Sequence, residues 1–309
     1  MTARRRRITG LIGIAIGLLG LVFVVIRLAQ DWDAVTDALS SARWPLVLLA
    51  VALGIAGMTT IGLNWHSMLR HAGGPSVSPR ASLHQYFVGQ LGKYVPGGVW
   101  PIVGRAEMAH RGGATRTAAY GSTLLSLAST YLASLMTAAV FMAVLGLRGG
   151  GSSWAVWLVL VVPIGLLMLH PRVVSRVVSL VSRISGRSLD LPVASWQRSV
   201  TIVLLHLPAW LAISGATYLV SQALGGGASL DRIGVATCVA WFLGFVVIGL
   251  PGGLGVREAA FVALVAPMDP AIAAAVALVS RVVFVVVDLV GAGIATGWHL
   301  GRPQRKIET

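Results

Sequence analysis

The chain has 309 residues, 56% of them apolar and only 11% charged, with 24 Lys and Arg against 10 Asp and Glu for a formal net charge of +14. Soluble domains carry about a quarter of their residues as charged side chains and disorder needs low hydrophobicity, so a mean hydropathy of +0.82 excludes both. The single cysteine, Cys238, excludes an intramolecular disulfide and a multi-cysteine metal site.

A helix needs about 20 mostly apolar residues to cross a bilayer, and six segments meet that length. The first, Ile8 to Leu28, follows Arg4-Arg5-Arg6-Arg7. Its apolar run is longer than a signal-peptide core and lacks an Ala-x-Ala cleavage pattern, so it reads as a retained anchor. A short loop, Ala29 to Trp44, carries Asp31-Trp32-Asp33 and leads to the second span, Pro45 to Met68. Residues 81–104 are apolar but interrupted by Pro96-Gly97-Gly98. The third span, Arg116 to Gly146, repeats small residues at every fourth position: Ala118, Ser122, Ser126, Thr130, Ser134 and Ala138. Such a stripe lets helices approach closely, and its hydroxyls would also suit a hydrophilic path. The fourth span is Trp154 to His170. Behind it, Arg172, Arg176, Arg183 and Arg187 share one face of an amphipathic stretch, Pro171 to Arg187, at about 100° per residue. That pattern predicts a helix lying in the cytoplasmic interface against anionic lipid. The fifth span is Ser199 to Leu224. Residues 232–266 are again apolar and are broken by Pro251-Gly252-Gly253, before the sixth span, Ala271 to Trp298.

Basic residues mark the cytoplasmic side of a membrane protein. With the N-terminus inside, eighteen of the 24 fall on that side, while Arg43, Arg148 and Arg232 lie outside with Asp31, Asp33, Asp37, Asp231 and Asp269. Both termini are therefore expected in the cytoplasm, in an inner-membrane protein. The positive charge is a topology signal and not a nucleic-acid footprint. Trp32, Trp44, Trp154, Trp157, Trp196 and Trp298 sit at or near span ends, as an interfacial aromatic belt requires.

The two interrupted stretches match. Each has Pro-Gly-Gly followed within about ten residues by Arg and Glu (Arg105 and Glu107; Arg257 and Glu258), and Pro96 and Pro251 are 155 residues apart. Proline removes a backbone donor and glycine lets the chain reverse, so neither stretch should cross as one helix. The first lies between spans that end and start inside, the second between spans that end and start outside. Two re-entrant hairpins of opposite orientation are the signature of an inverted repeat, with the substrate site where the broken segments meet. The expected fold is thus all-α: one integral membrane domain of six spans and two hairpins, with halves 1–150 and 151–309.

These residues resemble the transmembrane domain of lysylphosphatidylglycerol synthases and their stand-alone, flippase-like relatives. The resemblance rests on Gly92-Lys93-Tyr94-Val95-Pro96-Gly97 continuing through Trp100, Gly104 and Arg105, and on Pro251-Gly252-Gly253-Leu254-Gly255-Val256-Arg257-Glu258. It implies movement of lipid between leaflets. In two-domain members a soluble domain first aminoacylates the lipid; the residues after Trp298 are too few for one, so lipid aminoacylation is not expected of this polypeptide.

Ionisable groups inside a bilayer must face partners or a wet cavity. Arg257, Glu258, Arg281 and Asp288 all fall in embedded segments, with Arg281 about 15 Å deep by helical rise. Arg257 and Arg281 suit a lipid phosphate through their forked donors, with Glu258 and Asp288 holding them or binding a coupling proton. A structural ion pair tying the hairpin to the last span accounts for the same burial. Lys93, Arg105 and Glu107 flank the first hairpin, where cations beside unwound backbone can meet an anionic head group. For Arg105, positive-inside anchoring is the preferred reading. Tyr94 and Trp100 are expected to pack at the interface. The competing class is an enzyme, a polyprenyl-phosphate glycosyltransferase using Asp31 and Asp33 for a metal or as a base; a solvated loop or a helix cap explains them more simply. A non-transporting partner of an envelope-synthesis enzyme is the third reading. No phosphate-binding loop of the ATPase kind and no second Glu-x-x-His accompany Glu107-x-x-His110, so neither ATP nor a metal nor any other cofactor is expected.

Overall fold

A computed structural model describes residues 36, 37, 39–72, 77–95, 99–148, 160–173, 175, 176, 179, 195–246, 253 and 255–300. The described residues form helices and connecting turns, with no strand among them. Among the described residues, four helical stretches are long and apolar enough to cross a membrane. They are α1 (Trp44–His71), α4 (Arg116–Leu147), the pair α6 (Trp196–Leu204) and α7 (Leu207–Ala223), and α10 (Pro270–Leu300). These match the second, third, fifth and sixth expected spans. Of the fourth, α5 (Val161–Met168) is described; the first span, with Asp31 and Asp33, lies outside the described residues.

The fifth span is not continuous. It turns at Leu205 and His206 because Pro208, at the start of α7, cannot donate a helical hydrogen bond. Asn64 of α1 reaches across and donates to the Leu205 carbonyl at 2.7 Å, supplying a partner for a polar group that the break sets free.

Each interrupted stretch is a pair of helices folded back on one another. The first contains α2 (Pro79–Gln90), a 3-10 turn Leu91–Tyr94 and α3 (Trp100–Arg111). Ser78 caps α2 by accepting from the Ala81 amide at 3.3 Å, and Val95, before Pro96, is extended (φ −84°, ψ 133°), as a residue preceding proline prefers. The second contains α8 (Leu230–Val246) and α9 (Val256–Leu264). Pro96, Gly97, Gly98, Pro251 and Gly252 lie outside the described residues; Gly253 is described, with φ +69°, a conformation open to glycine at little cost. A Cβ there would stand 2.6 Å from the Cα of Gly244, so the arms meet backbone to backbone.

The bases of the two hairpins sit at opposite ends of α10. At its C-terminal end, the Arg80 guanidinium of α2 stands 5.6 Å from the Trp298 ring centre and His84 stacks on His299 with ring centres 4.8 Å apart. At its N-terminal end, Arg232 of α8 donates to the Ala266 carbonyl, just after α9. That end also collects Arg43, which bonds Gln222, and Arg148, which pairs with Asp231 at 3.1 Å. The basic residues expected outside therefore share one end of the bundle. Of the amphipathic stretch, Arg172 and Arg176 are exposed; Arg183 and Arg187 lie outside the described residues.

Candidate functional site

The two interrupted stretches converge on a cavity of about 320 Å³. The first hairpin contributes Gln90, Lys93, Tyr94, Pro101 and Arg105; the second contributes Trp241, Gly244, Gly253 and Arg257. Between them stand Ser126, Thr130 and Tyr131 of α4, Trp210 of α7, and Arg281 and Phe284 of α10.

Two of the four cations are neutralised, and both pairs involve α10. Its Arg281 donates to Glu258 of α9, while Glu258 also accepts from the Gly255 amide at 2.7 Å and so caps α9. Its Asp288, fully buried, lies 2.5 Å from Lys93 Nζ and accepts a hydrogen bond from the Tyr94 hydroxyl. One helix thus grips each hairpin through one ion pair, with charges of opposite sign two turns apart. Sequence alone placed Asp288 beside the arginines; the fold gives it to Lys93 and Tyr94. It also draws Tyr94 away from the interface and into the protein.

Arg105 and Arg257 are handled differently. Gly89 and Gly244 repeat the 155-residue offset of the prolines, and each faces the opposite arm of its own hairpin. A Cβ on Gly89 would stand 3.1 Å from that of Arg105, and one on Gly244 would stand 3.3 Å from that of Arg257. The two arginines are therefore counterparts. Each lies against aromatic rings, with Arg105 4.5 Å from the centre of Tyr86 and 5.5 Å from that of Trp65. Arg257 lies 4.0 Å from Trp241 and 5.7 Å from Phe284, distances at which rings attract cations. Arg105 also donates to Gln90 Oε1 at 3.2 Å. Neither arginine has a carboxylate within ion-pair distance among the described residues.

Glu107 does not join this group. It points away from the cavity and pairs with Arg111 at 3.3 Å on an exposed part of α3. The stripe on α4 divides its work: Ser134 donates to the Cys238 carbonyl of α8 at 2.9 Å, whereas Ser126 and Thr130 line the cavity. The aromatic wall had no sequence counterpart. Tyr131 stacks on Phe245 at 4.0 Å, and Trp241 meets Trp210 and Phe284 edge-on at 5.8 and 5.1 Å. Its only sequence signal is a surplus of tryptophan beyond what span ends require.

The sequence profile of the lysylphosphatidylglycerol synthase TM region matches residues 10–291. The chain belongs to that family. Family membership and the four spanning helices make it a multi-pass membrane protein. A comparison with curated proteins returns no match.

Proposed function

We propose that this member of the family moves an anionic lipid between the leaflets of the cytoplasmic membrane, with both termini in the cytoplasm and no chemical step on the lipid. The observation that carries the reading is the meeting of two broken hairpins, based at opposite ends of α10, on one cavity lined by Lys93, Arg105, Arg257 and Arg281. A re-entrant hairpin from each face would let the cavity communicate with one side and then the other as the halves rock. The cations lining the cavity would hold the head group, while the acyl chains stay in lipid. The basic face with Arg172 and Arg176, both exposed, would attract anionic lipid at the membrane surface without being part of the transport site. Partners are thus membrane lipids, together with whichever envelope-synthesis enzymes supply or use them.

Reconstitution into liposomes carrying labelled phospholipids and polyprenyl-phosphate lipids tests this. The wild-type chain should speed leaflet exchange, and Arg257→Ala and Arg281→Ala should each slow it at least about tenfold, the loss expected when a charge-assisted contact disappears. Exchange that neither substitution alters would remove the site assignment. Failure to move any lipid class would remove the function.

A further inference from the structure

We infer that the cavity is built for a phosphate head group carrying two or more negative charges, such as a lipid phosphomonoester or diphosphate, and not for an aminoacylated phospholipid. This inference rests on the proposed translocation site. Among the described residues, four cations border the cavity, and the two buried carboxylates beside them are committed: Asp288 to Lys93 and Glu258 to Arg281. Arg105 and Arg257 remain, each seated on a glycine of the opposite hairpin arm and each backed by an aromatic face. Two positive charges without carboxylates at membrane depth call for a counter-charge from the occupant. Forked guanidinium donors from two sides match the several oxygens of a terminal phosphate.

A cavity of about 320 Å³ lies near the small end of ligand pockets, so it suits a compact head group with the tail excluded. A lysyl-phosphatidylglycerol head group, with two amines against one phosphate, would add net positive charge where two are already uncompensated. It would raise the cost of the site instead of lowering it.

The full chain in detergent offers a direct readout, because Trp210 and Trp241 line the cavity and report on occupancy by fluorescence. At pH 8, dodecyl phosphate should bind at least about tenfold tighter than didodecyl phosphate, which carries one charge, and than lysyl-phosphatidylglycerol or inorganic phosphate. Q90E is the decisive variant. It keeps the shape of the side chain that already contacts Arg105 and supplies a carboxylate. It should weaken dodecyl phosphate at least about tenfold with a thermal midpoint that is not lowered, while Arg257→Lys, which keeps the charge, should retain part of the affinity. Equal binding of the singly charged or lysylated lipid would overturn the inference, as would an unaffected Q90E protein. Inorganic phosphate binding as tightly as dodecyl phosphate would overturn its assignment to a lipid. Loss of leaflet exchange with dodecyl phosphate still bound would remove the translocation reading alone; exchange without any charge preference would remove this inference alone.

Discussion

Asp288 pairs with Lys93 and accepts a hydrogen bond from Tyr94, both of the first interrupted stretch, while being fully buried. Asp288→Asn should therefore strand Lys93 beside an apolar wall. Breaking a buried pair by removing one partner costs about 3–5 kcal/mol, with the lower figure expected here because Lys93 borders the cavity. Thermal unfolding in detergent should show the loss, and the double replacement Lys93→Met with Asp288→Leu should recover most of it. The charged residues themselves were legible in the sequence, since few such groups survive in apolar segments. Their pairings were not. Lys93 and Asp288 belong to opposite halves of the chain, and a contact between distant segments leaves no mark in local composition. Gln90, Tyr131 and Trp241 were invisible for the same reason: an aromatic or an amide in an apolar run reads as core or interface until its neighbours are known.

Among the elements, Pro-Gly-Gly marked where each apolar stretch divides into two helices, because proline and glycine interrupt a helix. What their arms do could be seen only in space. Gly253→Ala would impose a Cβ at positive φ, worth about 1–2 kcal/mol, and drive it into Gly244. A stability loss of at least about 2 kcal/mol should appear in denaturant titrations, with Gly255→Ala, which has open space around it, losing less. The α4 stripe offers a contrasting pair. Ser134→Ala removes a bond to α8 and should cost about 0.6 kcal/mol while leaving leaflet exchange unchanged. Ser126→Val should alter exchange more than stability, because its hydroxyl, which has no hydrogen-bond partner among the described residues, borders the cavity. The turn in the fifth span shows the reverse case: Pro208 was present in the sequence as a warning, yet an apolar run of spanning length masked it.

At the scale of the molecule, opposite hairpin orientation is an expectation from charge counting, and the contacts at the two ends of α10 place the starts of α2 and α8 at opposite ends of that helix. Cysteines introduced at Arg111 and Gly227, in a chain lacking Cys238, make the orientation measurable. A membrane-impermeant maleimide should modify Gly227→Cys in intact cells and Arg111→Cys only after permeabilisation; labelling of both from one side would undo the arrangement. A last consequence concerns the arms of α10. Arg281 and Asp288 ride on the same rigid rod with opposite signs, so an axial slide of that rod carries no net charge through the transmembrane field, whose work on a single charge is about 2.3 kcal/mol per 100 mV. The voltage would leave α10 alone, and any current measured during turnover would count the charges of the passenger and of the arginines that accompany it.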